Sequence, residues 1–152
     1  MNDVKAFWQR YLSTVDKAQT QEYKECFFFG YNEELAASLL ELVLSRQKTG
    51  TTSSYLAYEY ANEELPKAGD LSIVTTWDGV PKGVIETTRV EILPFNEMTF
   101  ELCSLEGEDE NLASWQENHR RAFQFSGAEE GFVFSEEMLV VFEVFSVVYQ
   151  EN

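Results

Sequence analysis

The sequence predicts an α+β fold, a small mixed β-barrel flanked by helices. Three observations predict it. Segments with apolar residues at helical spacing alternate with hairpin-type strands. The chain closes on Met138–Tyr149, a nearly continuous apolar run that reads as a long central strand buried on both faces for part of its length. Finally, 152 residues with 44% hydrophobic and 14% aromatic content can build a real core without disulfides or a structural metal. The expected organisation is an N-terminal helix and lead-in, residues 1–25, packed on one domain, residues 26–150.

Each element has its own signal. Val4, Phe7, Trp8, Tyr11, Leu12 and Val15 fall at helical spacing opposite Lys5, Gln9 and Arg10, so Val4–Val15 reads as an amphipathic helix. Cys26–Phe29 is a short apolar run closed by Gly30, a buried strand or an extended approach to the next helix. Asn32 is the N-cap of that helix, with Glu33 and Glu34 favourable to its dipole, and Leu35, Leu39, Leu42 and Val43 carry it to Ser45. Thr49–Ser54, rich in β-branched and hydroxyl residues, leaves as an extended segment, and Tyr55–Glu64 forms a helical turn. Leu65–Asp70 is a turn that delivers the strand Leu71–Trp77. Asp78-Gly79 then makes a hairpin turn into the return strand Gly83–Leu93, whose alternation resolves no inside from outside. The acidic loop Glu106–Glu110 precedes a helix over Leu112–Phe125, with Trp115, His119, Ala122 and Phe123 on one stripe.

Charge bounds the function. A formal net charge of −16 and a pI near 4.3 repel phosphate backbones, which argues against duplex DNA and other long nucleic acids as partners. A local basic pocket stays compatible with that field, because screening confines surface fields to roughly 8 Å at physiological salt. Cys26 and Cys103 lie in apolar contexts without a CxxC pair and read as small core residues in a reducing compartment. One histidine excludes a multi-His metal site, and Cys26, Cys103 and His119 lack ligand spacing, so neither metal nor cofactor is expected. The N-terminus has no signal-peptide core and no apolar run reaches the ~20 residues of a membrane span. The expected location is cytoplasmic, with no membrane partner.

Chemistry concentrates in Lys48-Thr49-Gly50-Thr51-Thr52-Ser53-Ser54, hydroxyls beside one amine just past a helix end. The stretch lacks the glycine pattern of a phosphate loop and follows a helix instead of opening one. Two readings are open. One is a lysine near a helix C-terminus followed by a polar edge strand. In the other, alternation puts Thr49, Thr51 and Ser53 on one face, Lys48 reaches over Thr51 as a base for its hydroxyl, and the loop around Glu106 supplies a third group. His119, one turn after Trp115, is either a hydrogen-bonded packing histidine or a member of the site. Trp77 at the hairpin tip is either partly packed or a stacking surface for a base.

The segments Phe27-Phe28-Phe29-Gly30, Leu35-Ala36-Ala37-Ser38-Leu39-Leu40, Lys48-Thr49, Leu65–Asp70 and Val84-Ile85-Glu86-Thr87-Thr88 together resemble the ASCH domain family. Glu106-Gly107, Trp115 with His119, and Phe134–Val141 extend the resemblance, which runs from about Cys26 to Tyr149 and is to a longer bacterial subgroup. It implies a PUA-like fold, a small β-barrel with helices around a cleft for a nucleoside or short RNA, and says nothing of oligomeric state. Members are mostly described as RNA-binding or coactivator-like; a small bacterial one hydrolyses 4-acetylcytidine with Lys, Thr and Glu, and another is described as a ribonuclease. By resemblance the hydrolase residues fall on Lys48, Thr51 and Glu106, with Ser53, Trp77, Trp115 and His119 as substrate-binding candidates. An amidohydrolase is thus one implied activity, and a non-catalytic RNA or modified-nucleotide binding module another. Two positions depart from the pattern. Arg46 stands where the Gly-x-Lys core has glycine, so a different turn is expected there, and Ser53 stands where an arginine usually follows.

Overall fold

The helical spacing at the start of the chain becomes α1 (Val4–Thr14), which buries Phe7, Trp8, Tyr11 and Leu12. Asp3 caps it, its carboxylate accepting from the Ala6 N–H at 2.9 Å, an interaction type worth about 1 kcal/mol. The computed structural model describes residues 3–16 and 20–152; the lead-in residues 17–19 lie outside them. Next come β1 (Glu25–Phe27) and α2 (Glu33–Leu44), where Asn32 Oδ1 accepts from the Leu35 N–H at 2.8 Å as expected of an N-cap. The rest follows as β2 (Gly50–Ser54), α3 (Tyr55–Ala61), β3 (Leu71–Thr75), β4 (Pro81–Pro94), α4 (Phe100–Cys103), α5 (Leu112–Glu130) and β5 (Leu139–Gln150). The sheet order is β1-β3-β4-β5-β2, with β1 parallel to β3, and the β3–β4 and β2–β5 pairs antiparallel. The fold is therefore mixed α+β, as predicted.

The residues group into two compact units, and β4 and β5 each contribute to both. The first comprises the chain up to Gln47, Ala68–Thr88 and Phe145–Asn152. Its sheet is covered on both faces. Ile73 and Val84 pack with the buried stripe of α1, while Val74 and Ile85 pack with Leu39, Leu40 and Val43 of α2 and with Phe145. Gly83, Val84 and Ile85 are consequently buried in succession, which is why alternation along β4 gave no sidedness. The Asp78-Gly79 turn forms where expected: Gly79 takes φ 85° and its N–H donates to Thr76 O at 2.9 Å.

The second unit comprises Lys48–Lys67 and Arg89–Val144, around a core of Phe95, Met98, Cys103, Trp115, Phe123, Phe132, Met138, Val140 and Phe142. Two features here differ from the sequence reading. A short α4, capped by Thr99, precedes the acidic loop, and α5 runs on past Phe125 to Glu130. The extension depends on Gly127, where an added Cβ would lie 2.6 Å from Phe132 O, so glycine serves close packing inside a helix.

The cysteines divide. Cys103 is buried as expected, but Cys26 is exposed. β1 is a three-residue edge strand, so a side chain on it gains sheet neighbours from one side only. Among the described residues no helix is long and apolar enough to cross a membrane.

Candidate functional site

The chain leaves α2 through Arg46, which takes φ 69°. Arg46 thus takes the left-handed conformation that glycine favours. The Arg46 guanidinium donates to Leu44 O at 3.0 Å and Gln150 Oε1 at 2.9 Å, contacts that help offset a strain of about 1–2 kcal/mol. Two residues later Lys48 turns inward, only 2% exposed.

A 3-10 turn, Ser104–Glu106, ends at Gly107 with φ 71°. It is tied to the start of β2, because the Thr49 N–H donates to Leu105 O at 2.7 Å and the Thr49 hydroxyl reaches the same oxygen at 3.3 Å. This anchoring turns the Glu106 carboxylate inward, where it is 2% exposed.

Four donors converge on that carboxylate. Oε1 lies 3.3 Å from Lys48 Nζ and 3.3 Å from His119 Nε2. Oε2 accepts from Thr52 Oγ1 at 2.7 Å and from Trp115 Nε1 at 2.6 Å. Trp115 and His119 are four apart on α5, so they share a helix face and their rings stack at 4.3 Å. Lys48 Nζ also donates to Gly50 O at 2.9 Å and to Glu108 Oε2 at 2.7 Å.

The electrostatics follow from these partners. Burial alone would raise the Glu106 carboxyl, but the His119 hydrogen bond, the Lys48 charge and the Trp115 donor outweigh it and bring it to about 2. Burial would conversely lower His119, yet its hydrogen bond and charge interaction with Glu106 raise it, helped by Trp115 O. Geometry agrees: Nδ1 lies 3.0 Å from Trp115 O and Nε2 faces a carboxylate, so both ring nitrogens meet acceptors, as an imidazolium requires. Burial, then the charges of Glu106 and Asp109, push the Cys103 thiol up to about 11, so it is no nucleophile here.

Lys48, Glu106, Trp115 and His119 of the sequence-derived candidates therefore meet in one place. Thr51 does not join Glu106; it pairs in register with Glu143, and its neighbour Thr52 makes the contact. Ser53 Oγ lies 3.1 Å from Tyr58 OH. Trp77 belongs to the first unit, where it packs on Phe28 at 4.7 Å and lines a cavity of about 560 Å³ with Leu40, Leu44, Asp78 and Lys82. None of the residues around Glu106 lines that cavity. Sequence reading missed Thr52 and Glu108. Strand alternation held the signal for Thr52, since its face is opposite to that of Thr51; Glu108 carried none beyond its charge. Among the described residues no group of three or more His, Cys, Asp or Glu is placed to hold a metal.

Comparisons with known proteins fit this architecture. The chain is 34% identical to an ASCH domain from Lactobacillus crispatus, with a TM-score of 0.86 over 98% of this chain and 97% of that one. It is also 34% identical to protein EF3133 from Enterococcus faecalis, with a TM-score of 0.88 over 95% of this chain and 87% of that one. A hypothetical protein, PH0355, shares the fold at a TM-score of 0.50 and 20% identity, covering 82% of this chain and all of that one. No curated protein matches the chain. The family model of the ASCH domain matches residues 25–149, and the chain belongs to the ASCH domain family.

Proposed function

We propose that the domain binds a nucleoside or an unpaired RNA base beside Glu106 and hydrolyses an acyl amide carried by that base, as in 4-acetylcytidine. ASCH domains have the PUA-like fold, an RNA-binding fold. One observation carries the reading further: an ammonium, an imidazolium and a hydroxyl all lie within 3.3 Å of one buried carboxylate. Such a set can hold donors where charge develops and move a proton over a short path.

Hydrolysis at this site balances as follows. Water adds to the acyl carbonyl carbon and yields a proton to Glu106, while Lys48 donates to the oxygen that becomes negative. His119 gives its proton to the amine nitrogen as the carbon–nitrogen bond breaks. Glu106 then returns its proton to His119 across their 3.3 Å contact. The products are the free amine and the carboxylic acid, which ionises in solvent. Thr52, held by Glu106, or Thr51 beside it on β2, orients the water.

The test is incubation with 4-acetylcytidine and measurement of released acetate. Wild type should turn over, Lys48→Ala and Glu106→Ala should lose most of the rate, and the stronger loss between Thr51→Ala and Thr52→Ala identifies the hydroxyl. Turnover surviving both Lys48→Ala and Glu106→Ala would sink the mechanism. A second reading, binding without turnover, is favoured by the low Glu106 carboxyl and by the acceptors that already engage Lys48. Under it the wild type binds cytidine and releases no acetate. If the ligand is an RNA held through phosphates, affinity should fall steeply with salt; nucleoside turnover should not.

A further inference from the structure

Gly50 O, Glu106 and Glu108 accept from Lys48 on unequal terms. Gly50 O belongs to the main chain of β2, and Glu106 is itself locked by Thr52 and Trp115, so both are fixed. Glu108 makes the shortest contact, 2.7 Å, yet its side chain keeps 27% of its surface in solvent and stands on the loop just past Gly107. The Lys48 side chain is only 2% exposed. Glu108 adds a second negative charge beside Lys48 and is also felt by His119. Farther along the loop Asp109 is bound by Ser114 and Asn118, and Glu110 is exposed.

Resting on base binding beside Glu106, we infer that Glu108 is a displaceable occupant of the ligand's place on Lys48 and sets the selectivity of the site. Its carboxylate holds the ammonium in this structure. A ligand's carbonyl oxygen replaces it, and Glu108 swings outward on its exposed loop. The displaced charge remains within the ~8 Å over which it is felt at physiological salt. A phosphate entering the same place meets that carboxylate. An uncharged nucleoside pays no such repulsion, so the site selects nucleosides over nucleotides and phosphate-bearing RNA. Glu108 is thus a positioning residue that acts through Lys48.

Calorimetric binding of cytidine and cytidine 5′-monophosphate tests this without needing turnover. Wild type should prefer cytidine. Glu108→Gln, which keeps shape and removes charge, should tighten the monophosphate about tenfold and cytidine less than about threefold. Glu108→Asp, which keeps the charge, should retain the wild-type preference. Glu110→Gln makes the same charge change without the Lys48 contact and should move neither ligand by more than about twofold. Thermal midpoints close to wild type certify the variants as folded, and Glu108→Ala, which also removes the charge beside Lys48 and should tighten the monophosphate more than cytidine, carries the selectivity test if Glu108→Gln is not folded. Equal shifts for both ligands in Glu108→Gln, no shift in either, or no binding of either ligand to any of the proteins overturns the inference. Reordered binding with no acetate released from 4-acetylcytidine leaves Glu108 in this role and removes the hydrolase reading. Acetate release with an unmoved monophosphate affinity does the reverse.

Discussion

Glu106 in the second unit and Glu151 in the first are both held down to about 2, by opposite means. For Glu151 the hydrogen bonds of Arg10, then of Tyr149, do the lowering, and burial opposes them only weakly. The Arg10 fork is bidentate, at 2.8 and 2.9 Å, but its side chain is 54% exposed. For Glu106 burial is the largest influence and points the other way, so the donors must overcome it. The same carboxyl shift therefore has different worth. Water can replace the partners of Glu151 and salt screens them. Nothing replaces the partners of Glu106: removing that carboxylate leaves the Lys48 and His119 charges in the core without their shared counter-ion.

The largest break in this contrast should come from Glu106→Ala, expected to cost about 3–5 kcal/mol in urea denaturation, the range for removing one partner of a buried ion pair. A cost under about 1 kcal/mol would make Glu106 no different from a surface pair.

The pH dependence should be nearly as large. Glu106 titrates at about 2 in the folded chain against an ordinary value of 4.5, so its stabilisation is fully present above 4.5 and is lost as pH falls through 2. Linkage puts that loss at about 3 kcal/mol. His119 is raised above its ordinary 6.5, so its contribution is fully present below 6.5 and is lost as pH rises through the folded value. Urea midpoints should thus rise from pH 2 to 4.5 and decline above 6.5. The alkaline decline should vanish in His119→Gln; a decline that persists would assign it elsewhere.

In the first unit, Arg46→Gly relieves the positive φ but loosens the unfolded chain and loses two exposed hydrogen bonds. These effects nearly cancel, so stability should stay within about 1 kcal/mol of wild type. A loss beyond about 2 kcal/mol would show that the guanidinium anchors the end of α2. The smallest effect belongs to Arg10→Ala, a slight lowering of the urea midpoint that should be abolished in 1 M salt, where the Debye length is about 3 Å. A cost that survives 1 M salt would mean that Arg10 works through packing, as its position 5.9 Å from the Phe7 ring centroid permits.

Much of the first unit was legible because its elements are local. The α1 stripe, the Asn32 cap and the Asp78-Gly79 turn each depend on residues within a few positions of one another. The sidedness of β4 was not legible, because helices on both faces remove the alternation that a half-exposed strand would show. The exposure of Cys26 was hidden for a related reason: its apolar neighbours suggest a core, and only the strand order shows that β1 is an edge. In the second unit, Lys48 and Glu106 were reached through the family resemblance, across 58 positions of sequence. Thr52 was within reach of strand periodicity alone. Glu108 was not, since one carboxylate in an acidic run looks like the next until a lysine is placed against it.

By itself the sequence determined the fold class, the Asn32 cap, the hairpin and a polar strand following α2, because helix and strand periods and capping are written in neighbouring residues. Only the tertiary structure decided that Glu106 gathers Lys48, His119, Trp115 and Thr52, and that Glu108 stands on the exposed side of Lys48. Pairing of buried charges depends on distance and on the exclusion of water, and neither repeats with any period along the chain.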